Sequence, residues 1–145
     1  MPMPTIVDEN GWFESLDDHV VDALVAAMQD AGAPMLMVRW LGGAFGDVDP
    51  AATAIAFRTA EAFVVTGAFL PPGAPPGEEA RVKAALHPFV EHSLGAYGNF
   101  TNSVAPGLPE RMYPPLTLAR LRELKREWDP ANLFSRNHNL LPVAP

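Results

Sequence analysis

The side chains able to do chemistry in this sequence lie mostly toward its C-terminus. Tyr97-Gly98-Asn99-Phe100 sets a phenol two residues from an amide, and Asn137-His138-Asn139 sets an imidazole between two amides. Amide groups hydrogen-bond without adding charge, either to a neutral polar ligand or to the backbone of their own loop. Tyr97 is the candidate base, a poor one, since a free phenol titrates near 10. Phe100 cannot transfer a proton. His138 is placed to approach a substrate, although a single imidazole without a fixed partner serves equally well as a structural group. Arg39 and Arg58 either pair with acids or hold an anionic ligand, and Gly42-Gly43 lets a strand end approach a ligand or another backbone closely.

Other chemistry is excluded. His87, Glu91 and His92 resemble a zinc-binding helix motif, but the spacing is wrong and Pro88 interrupts the helix that the motif needs. There are no cysteines, so disulfides and thiolate metal sites are ruled out, and no metal site is expected. No Gly-x-Ser-x-Gly elbow occurs, and no glycine-rich loop leads from a strand into a helix as a phosphate cradle requires. A net charge of -7 opposes binding to nucleic acid or to an anionic membrane surface. The N-terminus has neither the charge nor the apolar run of a signal peptide, and the apolar stretches are too short to span a bilayer, so a cytoplasmic protein is expected.

These residues must be positioned by ordinary elements. Hydrophobic residues make up 48% and charged residues 19% of the 145, which suits one folded domain with a real core. Ser15-Leu16-Asp17-Asp18 reads as a helix cap, and Leu16, Val20, Leu24, Ala27, Met28 and Ala31 recur at helical spacing until Gly32 and Pro34 stop them. This helix is expected to bury one face against a sheet. Met35–Leu41, Thr53–Phe57 and Glu61–Phe69 read as strands with short connections, hence antiparallel. A proline- and glycine-rich loop precedes a helix from Glu78 to about Leu86, which Pro88 is expected to kink or restart. Residues 97 to 113 read as irregular, and Pro114-Pro115 opens a last helix with an apolar stripe at Leu121, Leu124 and Trp128. The expected fold class is α+β: a small antiparallel sheet with helices packed on one face, then a long loop and a C-terminal helix.

The ordered set Tyr97-Gly98-Asn99, Arg120-Leu121, Lys125, Asp129-Pro130-Ala131-Asn132-Leu133-Phe134 and Asn137-His138-Asn139-Leu140-Leu141-Pro142 resembles the C-terminal signature of berberine-bridge-enzyme-like flavoproteins. Leu41-Gly42-Gly43-Ala44, Thr53-Ala54 and Arg58 are similar to the substrate-side segment of the same family. The resemblance divides the single domain into a substrate-domain-like portion, 1–96, and a berberine-type segment, 97–145. It implies FAD as cofactor, with Tyr97, Asn99, Asn137 and Asn139 at the flavin and Gly42, Gly43, Arg58 and His138 toward a small-molecule substrate. For Arg120, Lys125, Asp129, Pro130 and Asn132 ordinary structural roles suffice.

The sequence departs from that family at Phe100, where several members carry Tyr or His, and in having nothing that corresponds to their flavin-binding domain. The function implied is the C-terminal part of an FAD-dependent oxidoreductase, its other half supplied by a separate FAD-binding chain. The alternative is a cofactor-free relic that acts as an oligomeric binding or interaction module. In either case Leu121, Leu124, Trp128, Leu133 and Phe134 need cover, and a two-fold homo-oligomer is the simplest source of it.

Overall fold

A computed structural model describes residues 3–32 and 35–141. The chain runs β1 (Thr5–Phe13), α1 (Asp18–Ala31), β2 (Met35–Trp40), β3 (Ala62–Leu70), α2 (Glu78–Val90), α3 (Leu108–Met112) and α4 (Pro115–Trp128), with short 3₁₀ turns at Gly43–Phe45 and Gly98–Phe100. The expected α+β architecture is present. The three strands form one sheet in the order β1-β3-β2, antiparallel throughout.

β3 is central and buried over nearly its whole length, as its run Ala-Phe-Val-Val-Thr-Gly-Ala-Phe-Leu implies. Because side chains alternate, β3 feeds two cores. Val64, Ala68 and Leu70 join Val7 and Phe13 of β1 beneath α1 and α2, where Val20, Leu24 and Ala27 meet Val82, Leu86, Phe89 and Val90. Phe63 and Val65 face the other way, with Trp12, under the long β2–β3 loop and the Tyr97–Phe100 turn. α1 and α2 therefore occupy one face, with α1 resting on α2 more than on the sheet, while α4 lies by the β2–β3 loop that covers the other.

The start of α1 follows its sequence closely. The Asp17 side chain accepts a hydrogen bond from the Val20 backbone N–H, and Gly32 closes the helix in the left-handed conformation at φ 61°. Pro34, read as part of this stop, and Pro142 of the tail signature lie outside the described residues.

Three expectations are corrected. Thr53–Phe57 is not a strand but a bent segment folded around Arg58, whose guanidinium bonds the Thr53 hydroxyl and the Ile55 carbonyl. α2 does not restart at Pro88; it runs through to Val90, with Pro88 on the exposed side and buried Leu86, Phe89 and Val90 fixing the last turn. The 97–113 stretch also holds a short helix, α3. β1 itself has few strand-forming residues in its middle, and is a strand because β3 pairs with it along its whole length. Among the described residues no helix is long and apolar enough to cross a membrane.

Candidate functional site

The site grows from the edge of β1 opposite the helices. Trp12 is buried, and its ring lies 4.6 Å from Phe63, 5.4 Å from Tyr97 and 5.8 Å from Phe45, measured between ring centres. Backbone hydrogen bonds lace the following segment to this strand: Trp12 N–H to the Gly95 carbonyl at 2.9 Å and Leu94 N–H to the Trp12 carbonyl at 2.7 Å. The close approach depends on Gly95, where a Cβ would lie 2.4 Å from the Arg111 carbonyl and 2.4 Å from the Phe57 ring.

Asn10, only 2% exposed, clamps the next turn. Its Oδ1 accepts from the Tyr97 N–H at 2.7 Å and its Nδ2 donates to the Phe100 carbonyl at 2.9 Å. One amide thus satisfies both ends of the Tyr97–Phe100 turn. Sequence reasoning missed Asn10 and Trp12; the available signal was an amide in the middle of a strand, a residue that when buried demands a partner.

Tyr97 packs between Trp12, Phe63 and Phe100, and its hydroxyl accepts a hydrogen bond from Asn99 Nδ2 at 2.8 Å. The tail then returns to this turn. His138 Nε2 lies 2.9 Å from the Gly98 carbonyl, placed to donate its N–H, and the ring passes within 3.0 Å of where a Gly98 Cβ would be. Asn137 adopts φ 58°, and its carbonyl accepts from the Asn139 N–H at 2.9 Å, a tight turn at the end of the tail. Asn139 is half-buried with Oδ1 unpartnered, whereas Asn99 and Asn137 are exposed.

The tail is held there by Asp129. Its carboxylate accepts from the N–H groups of Leu133 and Phe134 at 2.7 and 3.0 Å and from the Lys125 ammonium, which also donates to the Phe134 carbonyl at 2.7 Å. The Lys125 hydrogen bond holds the Asp129 carboxyl below the usual carboxylate range. Asp129, Lys125 and Asn132, at φ 52°, are structural in this turn.

The structure therefore brings Tyr97, Asn99, Asn137, His138 and Asn139 to one place. It does not gather the remaining candidates there. Gly42 and Gly43 lie on the β2–β3 loop with open space beside them, linked to Tyr97 through Phe45 and Trp12. Arg58 directs its donors inward, to the Ile55 carbonyl at 2.9 Å, the Thr53 hydroxyl at 2.7 Å and the Phe45 carbonyl at 3.4 Å, with its guanidinium 4.8 Å over the Phe45 ring. His87 and His92 turn to different neighbours, Glu9 and His19.

Inside the turn, a cavity of about 60 Å³ lies between Trp12, Phe57, Tyr97 and Tyr113. Burial, with Tyr97 nearby, pushes the Tyr113 phenol up. A space this small holds a water or two and no organic ligand of any size. A ligand would lie outside the turn, against the Asn99 and Asn137 amides. Arg122 and Glu110, paired with each other at 2.9 Å, line the same groove as Asn137, His138 and Asn139. The free amides beside that pair suit the edge of a polar, planar group.

Residues 96–140 match the family model described as berberine and berberine like. Over its C-terminal third the chain is similar to that family. Its matched span opens beside Tyr97 and ends just past Asn139, so it contains both halves of the amide cluster. Nine solved chains match in structure. One is a chitooligosaccharide oxidase, to which this chain is similar over 97% of its own length with a TM-score of 0.78 and 19% sequence identity. The chain spans 33% of that structure, so the likeness concerns the fold of one part of it. No curated protein matches.

Beyond the berberine-like cluster, α4 and the tail present apolar side chains to solvent. Trp128 is 79% and Phe134 81% exposed, and Leu116, Leu124 and Leu133 on the same two segments are exposed as well. Leu121, expected among them, is only half-exposed.

Proposed function

We propose that the chain is the C-terminal, substrate-side part of an FAD-dependent oxidoreductase. The observation that carries this reading is the convergence of Tyr97, Asn99, His138 and Asn139 within the segment that matches the berberine-like model. The amides of Asn99, Asn137 and Asn139 would hold the flavin edge, and the unpartnered Asn139 Oδ1 is an acceptor still lacking its donor. When bound, the flavin supplies the acceptor for a hydride removed from a substrate carbon. This chain orients the substrate over that edge, excludes water with the Trp12–Phe63–Tyr97–Phe100 aromatic layer, and offers the Tyr97 hydroxyl, fixed by Asn99, to a substrate proton. The remaining flavin contacts belong to an FAD-binding unit outside these 145 residues.

Amide NMR of the full chain titrated with FAD tests the reading. Shift changes confined to residues 97–99 and 137–139 are expected. No change, or changes centred elsewhere, would overturn it.

A second reading has its own support in Leu116, Leu124, Trp128, Leu133 and Phe134, large apolar side chains left exposed on α4 and the tail. On this reading the chain is a cofactor-free module that pairs two-fold through them. Light scattering above micromolar concentration would then give twice the chain mass, reduced to one by Trp128→Asp. A single-chain mass for the unaltered protein removes it.

A further inference from the structure

Behind the Tyr97–Phe100 turn, β1, α2 and the 101–111 segment enclose a cavity of about 410 Å³, none of whose lining residues belongs to the amide cluster. It is large enough for a small organic molecule. Its floor is Glu9, 8% exposed and pushed up in pKa chiefly by burial. Among the described residues no donor reaches this carboxylate at hydrogen-bond distance. His87 Nδ1 stands 3.7 Å from Oε1, and Arg111 stands 3.9 Å from Oε2. Lys83, four residues before His87 on α2, lines the same cavity and is steered by the Ser103 hydroxyl at 3.3 Å. One terminal nitrogen of Arg111 is buried with no partner.

A carboxylate only 8% exposed yet lining an open cavity is costly unless a donor answers it. A direct charge-assisted hydrogen bond would close to about 2.8 Å. Here the gaps are nearly 1 Å wider, and the space beside them is open. The lining also carries two fixed cations and one histidine against a single carboxylate. The unanswered carboxylate and the excess of cations therefore suit a ligand that is anionic at one end and a hydrogen-bond donor at the other.

We propose that this cavity binds a small carboxylate bearing a hydroxyl or ammonium group on the adjacent carbon, its carboxylate on Arg111 and Lys83 and its donor on Glu9. The claim is independent of the flavin reading. Lactate, alanine and propionate, titrated into the full chain at neutral pH and followed by amide NMR, test it. They share a three-carbon frame and differ in the donor.

Lactate or alanine is expected to shift residues around Glu9, His87 and Arg111, with propionate at least tenfold weaker, a difference of about 1.4 kcal/mol. Lactate alone would identify a hydroxy acid as the ligand, and alanine alone an amino acid. Arg111→Gln should weaken the preferred ligand about tenfold or more. Glu9→Gln should remove the preference over propionate, both variants being checked for an unchanged amide spectrum elsewhere. Propionate binding as well as the others, or no shifts at about 10 mM of any, overturns the proposal, and the comparison on the unaltered chain does not depend on either variant folding.

Discussion

At the scale of single residues, Asn10 and Gly95 set the position of the berberine-like turn, and neither bears on the chemistry directly. Asn10 is the sole side chain bonding both ends of the Tyr97–Phe100 turn among the described contacts. Asn10→Ala removes both bonds and leaves a half-buried N–H and carbonyl without their partner, so a loss of about 1–3 kcal/mol is expected in urea unfolding. Asn10→Asp keeps the acceptor for Tyr97 N–H but forfeits the donor to Phe100, and should fall between the two. Gly95→Ala introduces a methyl 2.4 Å from a backbone carbonyl, which has no rotamer through which to yield. A loss of about 2 kcal/mol or more is expected, against well under 1 kcal/mol for an alanine at Gly42, where nothing lies within 4 Å. Parallel melts of the two variants check the contrast.

At the scale of elements, what the sequence disclosed depended on whether the signal was local. α1 and α4 declared themselves through caps, prolines and apolar spacing, and β3 through an unbroken β-branched and aromatic run. β1 did not, because Asp8, Glu9, Asn10 and Gly11 are poor strand formers whose pairing with β3 comes from the register and from Trp12 and Phe13 burying on opposite faces. Thr53–Phe57 has strand-like residues but is folded around the Arg58 side chain instead of pairing. The amide cluster was legible through its resemblance to a known signature. Its clamp was not, since Asn10 lies 87 residues from Tyr97 and 90 from Phe100. The tail illustrates a local signal that worked: Asp129-Pro130 ends α4, and the same carboxylate caps the next turn. Asp129→Ala should release residues 133–139 as a unit while leaving the sheet and α1–α2 intact. Faster amide exchange at Leu133, Phe134 and His138, with protection in β3 unchanged, is the expected pattern; uniform loss of protection would show that the tail is not separable.

At the scale of the whole molecule, charge is unevenly spread. Five of the ten Lys and Arg residues but only three of the seventeen acids lie beyond residue 114, so the chain before α4 carries all of the acidic excess and the rest is slightly basic. Within that body, burial raises both Asp8 and Glu9 above the ordinary carboxylate range. An acid whose pKa is raised in the native state binds its proton more readily folded than unfolded. Its contribution to stability is full below the unfolded value, near 4, and is lost as pH rises through the folded one. Asp129, lowered by Lys125, works in the opposite sense and is lost only as pH falls below the normal carboxylate range. Lowering the pH from 7.5 toward 5 also relieves repulsion within an acidic body. These effects together place maximal stability on the acid side of neutrality, with a decline below about pH 4 as Asp129 is protonated. Urea midpoints across this range should rise as pH falls to about 5, and Glu9→Gln, which removes one of the two raised acids, should flatten the rise. A Glu9→Gln variant with the same slope as the unaltered chain would mean that Glu9 titrates alike in the folded and unfolded states, against the burial its position on β1 imposes.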